Sequence, residues 1–217
     1  MTSTPPHEST EQARGQAPGE APDLPDGLVR GDDGLARCWW PGDDPDYLHY
    51  HDTEWGVRGR DDWDDTGLFE LLVLESFQSG LAWITILRKR ANFVAAFDGF
   101  DPDMIATWGE VERARLLADA GIVRNRAKVD ATFASARAVV ALQAAGGRLV
   151  DVVFDAAPDP LPPRPTSRDQ VPATTPQSVA LARTLKDLGF RFVGPTVAYA
   201  LMQSAGVVDD HIAGCHV

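Results

Sequence analysis

The chain has 217 residues, 44% hydrophobic and 24% charged, with 32 acidic against 20 basic side chains and a net charge of −12. This is the composition of a soluble globular protein with one core or two small lobes, and no apolar run approaches membrane-spanning length. The acidic balance excludes a uniform, charge-driven grip on nucleic acid.

Residues 1–35 are polar, acidic and rich in Pro and Gly, without the apolar stretch of a signal peptide. Such a segment buries too little apolar area to offset its ordering entropy, so a disordered tail is predicted there. The body, residues 36–217, is expected to form one cytoplasmic, monomeric domain. Asp64 or Asp65 can cap a helix through Leu68, Phe69, Leu72 and Leu74. Ser79-Gly80 interrupts it, and a second helix is predicted from Trp83 to Phe97. Residues 110–119 read as a short amphipathic helix stopped at Gly121, and 124–145 as a longer one stopped at Gly146-Gly147. Residues 148–154 fit strand or helix, and a Pro-rich surface crossing runs from Ala157 to Pro176. A helix from Gln177 to Leu188 then meets a tight turn, Gly189 to Gly194. Pro195 opens the last helix at the position where a missing N–H costs nothing. The reading is all-α, with no internal repeat.

Charge is unevenly spread. Residues 1–37 hold seven acidic and three basic side chains, while residues 77–150 hold ten basic and seven acidic. A local basic patch or a set of solvated helix faces would both produce that pattern. Four metal-type residues lie near the two ends of the body: Cys38 with His51, and His211 with Cys215. If the four meet, they complete the closed Cys2His2 tetrahedron of structural zinc. Spacing alone leaves free thiols or a disulfide open.

Glu75 lies within the run Leu71-Leu-Val-Leu-Glu-Ser-Phe77, where an unpaired carboxylate is expensive to bury. A partly exposed Glu at a helix end would avoid that cost. Five of the six tryptophans fall between positions 39 and 83, with Tyr47 and Tyr50 among them. An aromatic box with a carboxylate at its rim suits a planar, positively charged heterocycle, through stacking, cation–π attraction and acceptance from an exocyclic amine. The turn Gly189–Thr196 between two helices can present backbone N–H groups and a helix dipole to a phosphate. A plain helix turn would look the same.

Six stretches, in order, carry a resemblance: Arg37-Cys-Trp-Trp40, Tyr50-His-Asp-Thr-Glu-Trp-Gly56, Leu74-Glu-Ser-Phe-Gln-Ser-Gly-Leu-Ala-Trp83, Gly121-Ile-Val-Arg-Asn-Arg-Ala-Lys128, Gly189-Phe-Arg-Phe-Val-Gly-Pro-Thr196 and Asp210-His-Ile-Ala-Gly-Cys215. From Arg37 onward the chain resembles the DNA-3-methyladenine glycosylase I family. The resemblance implies a helix-hairpin-helix DNA glycosylase fold, with a structural zinc joining the N- and C-terminal segments through Cys38, His51, His211 and Cys215. It implies that Glu75 reads the methylated base, that Tyr50 and Trp83 stack on it, and that Trp40, Tyr47 and Trp55 complete the pocket. Ser79, Gly80 and Leu81 would fill the gap left by a flipped nucleotide, and Gly189, Phe192, Gly194 and Thr196 would anchor phosphates. Phe77 and Asp209 depart from the family pattern. Phe77 replaces an expected polar residue, and Asp209 supplies a carboxylate where the family has asparagine, so a catalytic, capping or metal-supporting role for Asp209 is open.

The implied activity is monofunctional: hydrolysis of the N-glycosidic bond of 3-methyladenine in double-stranded alkylated DNA, releasing free 3-methyladenine. The alternative is a non-catalytic module that binds alkylated bases or DNA on the same scaffold. A zinc hydrolase is disfavoured, because all four metal positions would be filled by protein.

Overall fold

A short antiparallel ribbon opens the described part of the chain, residues 24–217 of a computed structural model. Its strands are β1 (Leu28–Arg30) and β2 (Ala36–Cys38), with Leu28 opposite Cys38. The architecture is therefore mostly helical rather than all-α, and the predicted tail is corrected over residues 24–35. The physical reason is local. Leu28 finds apolar partners in Cys38, Ile212 and Cys215, forming a small second core that covers the ribbon. Residues 1–23 of the expected tail lie outside the described residues.

Helix α1 (Pro45–Thr53) has the capping expected of a helix start: the Asp44 carboxylate accepts from the N–H groups of Asp46 and Tyr47, and Pro45 occupies the first turn. Tyr47, Tyr50 and His51 fall three and four residues apart, hence on one face. Helix α2 (Asp65–Gln78), capped by Asp64 through the N–H of Gly67, is buried at Leu68, Phe69 and every position from Leu71 to Phe77. A helix apolar on all sides belongs at the centre. The α2 helix ends at Ser79, and Gly80 takes the left-handed conformation, φ +84°.

The single helix predicted over 83–97 is two helices, α3 (Trp83–Leu87) and α4 (Arg90–Ala96). The break falls where the Lys89 ammonium donates to the carbonyls of Ala120 and Gly121, a tertiary tie that the periodicity does not encode. Short α5 (Pro102–Ala106) follows, then α6 (Glu110–Ala118) and the long α7 (Arg126–Ala144), capped by Asn125. The ambiguous segment is helical, α8 (Leu149–Phe154). After the Pro-rich crossing come α9 (Pro176–Asp187) and α10 (Pro195–Ala205), which pack on each other; α10 also packs on α2. The main core joins α2, α4, α7, α8, α9 and α10. Among the described residues, no helix is long and apolar enough to cross a membrane.

The seat of α10 depends on one glycine. Gly206 closes the helix with φ +79°, and a Cβ there would stand 2.0 Å from the carbonyl oxygen of Arg58. Gly206→Ala is expected to destabilise the protein by more than about 1 kcal/mol, since both backbone conformation and space oppose a side chain. Chemical denaturation of the two proteins measures the difference.

Candidate active site

The aromatic face of α1, the last turns of α2, the first residue of α3 and the inner face of α10 enclose a cleft of about 220 Å³. Its walls include Trp40, Tyr47, Tyr50, Trp55 and Trp83, with Glu75 among the lining residues. Five of the expected base-binding residues thus meet around the sixth. Trp40 is the hub of the wall, with ring centroids 4.9 Å from Tyr47 and 5.1 Å from Trp55.

Glu75 is 4% exposed, and a single side-chain hydrogen bond reaches it: Ser204 Oγ donates to Oε1 at 2.8 Å. Burial pushes its pKa up to about 7, against the stabilising effect of that hydroxyl. Among the described residues, no hydrogen bond reaches its second carboxylate oxygen. Burial and then the nearby Glu75 charge also raise the phenols, Tyr47 to about 12 and Tyr50 well above its ordinary value. Both stay protonated and available as donors.

At the back of this wall lies a cluster of four buried groups. Cys38 Sγ, His51 Nε2, His211 Nδ1 and Cys215 Sγ all lie within 4.8 Å of one another, and both cysteines are free thiols. Sulfur–nitrogen separations are 3.8 Å for Cys38–His211 and 3.6 Å for both Cys215–His51 and Cys215–His211. A tetrahedral ion with metal–sulfur bonds of about 2.3 Å and metal–nitrogen bonds of about 2.0–2.1 Å spans such edges at about 3.6 Å. The outward ring nitrogens are already committed. His51 Nδ1 lies 2.7 Å from Asp52 Oδ1, and His211 Nε2 lies 3.1 Å from the Trp55 carbonyl oxygen. Both imidazoles therefore turn a lone pair inward, as metal-binding histidines do. The Cys215 thiol is held well below its ordinary value, first by Cys38 and then, against burial, by His211 and His51; the same pairing pushes Cys38 up. The residues fit a metal ion.

A family model described as methyladenine glycosylase matches residues 40–217. DNA-3-methyladenine glycosylase 1 of Escherichia coli strain K12 is 42% identical over 182 residues, covering 83% of this chain and 96% of that protein. The chain belongs to the methyladenine glycosylase family. A crystal structure of 3-methyladenine DNA glycosylase I superposes with a TM-score of 0.78 at 45% identity, covering 83% of this chain and 98% of the other. A tyrosine-to-phenylalanine variant of 3-methyladenine DNA glycosylase I, in complex with 3-methyladenine, superposes at 0.76 with 29% identity, covering 83% of this chain and 96% of the other.

Within this member of the methyladenine glycosylase family, several expectations need correction. Tyr50 and Trp83 do not form an open slot: their centroids stand 5.4 Å apart with planes inclined by 43°. A ring slipped between them needs about 7 Å, twice the usual contact distance. Asp209 does not line the cleft. Its Oδ2 accepts from Arg164 Nε at 2.6 Å and its Oδ1 accepts from the backbone N–H of His211 at 3.2 Å, so it is spent on an ion pair and a turn. The neighbouring carboxylate, Asp210, is the one on the cleft; its Oδ2 accepts from Tyr199 Oη at 2.6 Å and Gln203 Nε2 at 2.7 Å. Phe77 points away from the site, fully buried against Phe93 and Phe97, and the polar neighbour at the cleft is Gln78.

Ser79 and the turn residues Phe192, Gly194 and Thr196 line one groove, together with Lys186 and Arg191. Leu81 is 40% exposed and Phe192 42%. Gly189, at φ +101°, makes the turn that leaves α9. Of the ten basic side chains of segment 77–150, Arg88, Arg90, Arg113 and Arg126 pair with carboxylates, and Lys89, Lys128 and Arg137 donate to backbone carbonyls. Ser204, Gln203 and Asp210 went unpredicted. The available signal was two polar residues inside the otherwise apolar α10.

The raised pKa of Glu75 makes its ionisation work against folding. That cost begins near the ordinary value of 4.5 and is complete above about 7. Glu75→Gln is expected to gain stability over the parent as pH rises through that window, by up to about 3 kcal/mol, and to show no further gain above it. Urea unfolding at pH 5 and pH 8.5 reads the difference; an offset independent of pH would refute the burial argument.

Proposed function

We propose that this chain removes 3-methyladenine from alkylated double-stranded DNA by hydrolysing the N-glycosidic bond, releasing the free base and leaving an abasic site. The observation that carries this reading is Glu75: a buried carboxylate with one oxygen unpartnered, inside an aromatic cleft of a family member. Methylation at N3 gives the adenine ring a positive charge, which weakens the glycosidic bond and makes protonation of the leaving group unnecessary. Selection is then the main task. An ionised Glu75 favours the cationic ring over neutral adenine and accepts from its exocyclic amine, which concentrates discrimination on the damaged base.

The base must leave the duplex to reach this cleft, at a cost of a few kcal/mol that is lowest at damaged sites. On this reading Ser79, Gly80 and Leu81 occupy the vacated gap. The α9–α10 pair serves as a helix-hairpin-helix, with the backbone around Gly189, Phe192, Gly194 and Thr196 facing phosphates. Entry of the base parts Trp83 from Tyr50. Trp83 begins the short α3, and among the described residues its buried indole Nε1 has no hydrogen-bond partner, so no hydrogen bond of the ring has to break for that movement. Among the described residues no lysine lines the cleft, and β-lyase chemistry is not part of the reading. The non-catalytic alternative rests on Phe77 and on the acidic balance of the chain; Phe77 lies in the core, away from the cleft, which leaves the net charge of −12 as its support.

Cys38, His51, His211 and Cys215 would hold zinc, supplying a closed structural cross-link and no open position for chemistry. Asp52 would steady the site: although burial opposes it, hydrogen bonds from Arg37, His51 and His216 hold its carboxyl well below the usual range.

Incubation with methylated duplex DNA and separation of the released bases is the direct test. Free 3-methyladenine should accumulate, with kcat/KM rising with pH up to about 7 and level above it as Glu75 ionises in the free protein. Glu75→Gln should lose most of the activity and the rise. Elemental analysis should find one zinc per chain. Its removal by a chelator should lower Tm markedly; a metal-free chain of equal stability would exclude the four-ligand assignment.

A further inference from the structure

Lys128, in the first turn of α7, is 5% exposed, and burial alone lowers its pKa, with no carboxylate contributing. Its ammonium donates to the carbonyl oxygens of Phe77 and Ser79, both at 2.8 Å, and lies 5.6 Å from the centroid of the Phe192 ring. The first two contacts fasten the end of α2, where the carbonyl dipoles favour a cation. The third reaches the turn between α9 and α10. Phe192 holds φ +61°, a conformation that a bulky side chain adopts only when its surroundings enforce it. The other polar ties of this turn to α2 and α7 are a 3.5 Å contact from Ser76 Oγ to the Phe192 carbonyl and a 3.2 Å hydrogen bond from the Arg191 N–H to Ser135 Oγ.

Two carbonyls could be satisfied by a neutral amide without the expense of desolvating an ammonium. A cation adds attraction to an aromatic face, and it adds positive charge beneath a groove shared by Ser79 and Phe192. We propose that Lys128 is a positioning residue for duplex engagement: one ammonium sets the spacing between the loop Ser79–Leu81 and the turn Gly189–Gly194. The inference rests on the proposed glycosylase reading, because both elements must meet the same duplex while Glu75 receives the base. Lys128 itself touches neither base nor sugar. Its effect is on how well the two DNA-facing elements fit one backbone.

The test is Lys128→Met in the full-length protein, with three readouts: kcat and KM on methylated duplex, affinity for a duplex carrying an abasic-site analogue, and affinity for free 3-methyladenine. The expected result is a KM about tenfold higher and a matching loss of abasic-duplex affinity, with kcat and free-base affinity within about twofold. Unchanged KM would overturn the proposal. So would a parallel fall in free-base affinity, which would show that Lys128 merely supports α2 and Glu75. If Lys128→Met does not fold, Lys128→Arg moves the ammonium contacts while keeping the charge, and the same split between duplex and free-base readouts decides. If the parent protein excises nothing, the glycosylase reading fails on its own, and the abasic-duplex affinity still judges Lys128.

Discussion

Burying an acid with one hydroxyl for company is the constraint around which this molecule is arranged. The raised pKa of Glu75, from 4.5 to about 7, corresponds to about 3 kcal/mol of disfavoured ionisation. That is a large share of the 5–15 kcal/mol by which domains are typically stable. The penalty is tolerable because α2 is buried at every position from Leu71 to Phe77 and is packed by α7, α8 and α10, so the helix has nowhere else to go. Ser204, delivered by α10, is the only side-chain donor to the carboxylate among the described residues. A ligand that brings positive charge and an amine donor would relieve the penalty, so part of the unfavourable burial is returned as selectivity when such a ligand binds.

The wall opposite Glu75 comes from segments distant in sequence, and its rigidity depends on how those segments are joined. The α1 helix supplies Tyr47 and Tyr50, while Asp210 and the cluster residues His211 and Cys215 follow α10. Asp52 sits at the seam. It accepts from Arg37 and faces both His51 and His216, and Arg37 also pairs with Asp33 in the ribbon turn. On the opposite side Arg164 ties the Pro-rich crossing to Asp209 and to the carbonyl of Val217. A metal held by these four residues would close a loop of most of the chain, and loop-closure entropy grows with loop length, although only logarithmically. The cluster can therefore stabilise the fold while staying one residue away from the carboxylate on the cleft.

Much of this was legible in the chain because the residue types involved are conspicuous. A carboxylate inside an apolar run singles out Glu75, and two cysteines each near a histidine single out the Cys/His cluster, but an exposed Glu and free thiols fit the same patterns, and the family resemblance was needed to assign their roles. The α2 helix follows from its cap at Asp64, and the structure adds caps at Asn125 for α7 and Thr175 for α9. What escaped depends on tertiary context. The α1 helix interleaves Tyr and His with Asp, so it has no apolar stripe despite a sound cap. The break at Lys89 is set by carbonyls thirty residues away. Asp209 and Asp210 are chemically identical neighbours, and only the turn after α10 decides which one meets Arg164 and which one meets the cleft. The ribbon needs Ile212 and Cys215 to cover Leu28, and no window around residue 28 contains them.

An acidic protein that must engage a polyanion cannot rely on charge in bulk, and this chain's pairing shows how far that route is closed. Arg88 is tied to Asp44, Arg90 to Glu54 and Glu70, and Arg113 to Glu110 and Asp130. Part of the basic surplus of residues 77–150 is thereby taken up by the protein's own carboxylates. The groove at the α9–α10 turn keeps Lys186 and Arg191, with backbone N–H groups at the start of α10. On the proposed reading, phosphate contact there is short-ranged and few-membered. It is thus weaker on undamaged DNA and less salt-sensitive than a broad basic surface would be. Weak general affinity with strong local selection suits a protein that must inspect many normal bases for each damaged one. The energy that distinguishes them is then concentrated where the chain has placed the buried Glu75 beneath aromatic walls.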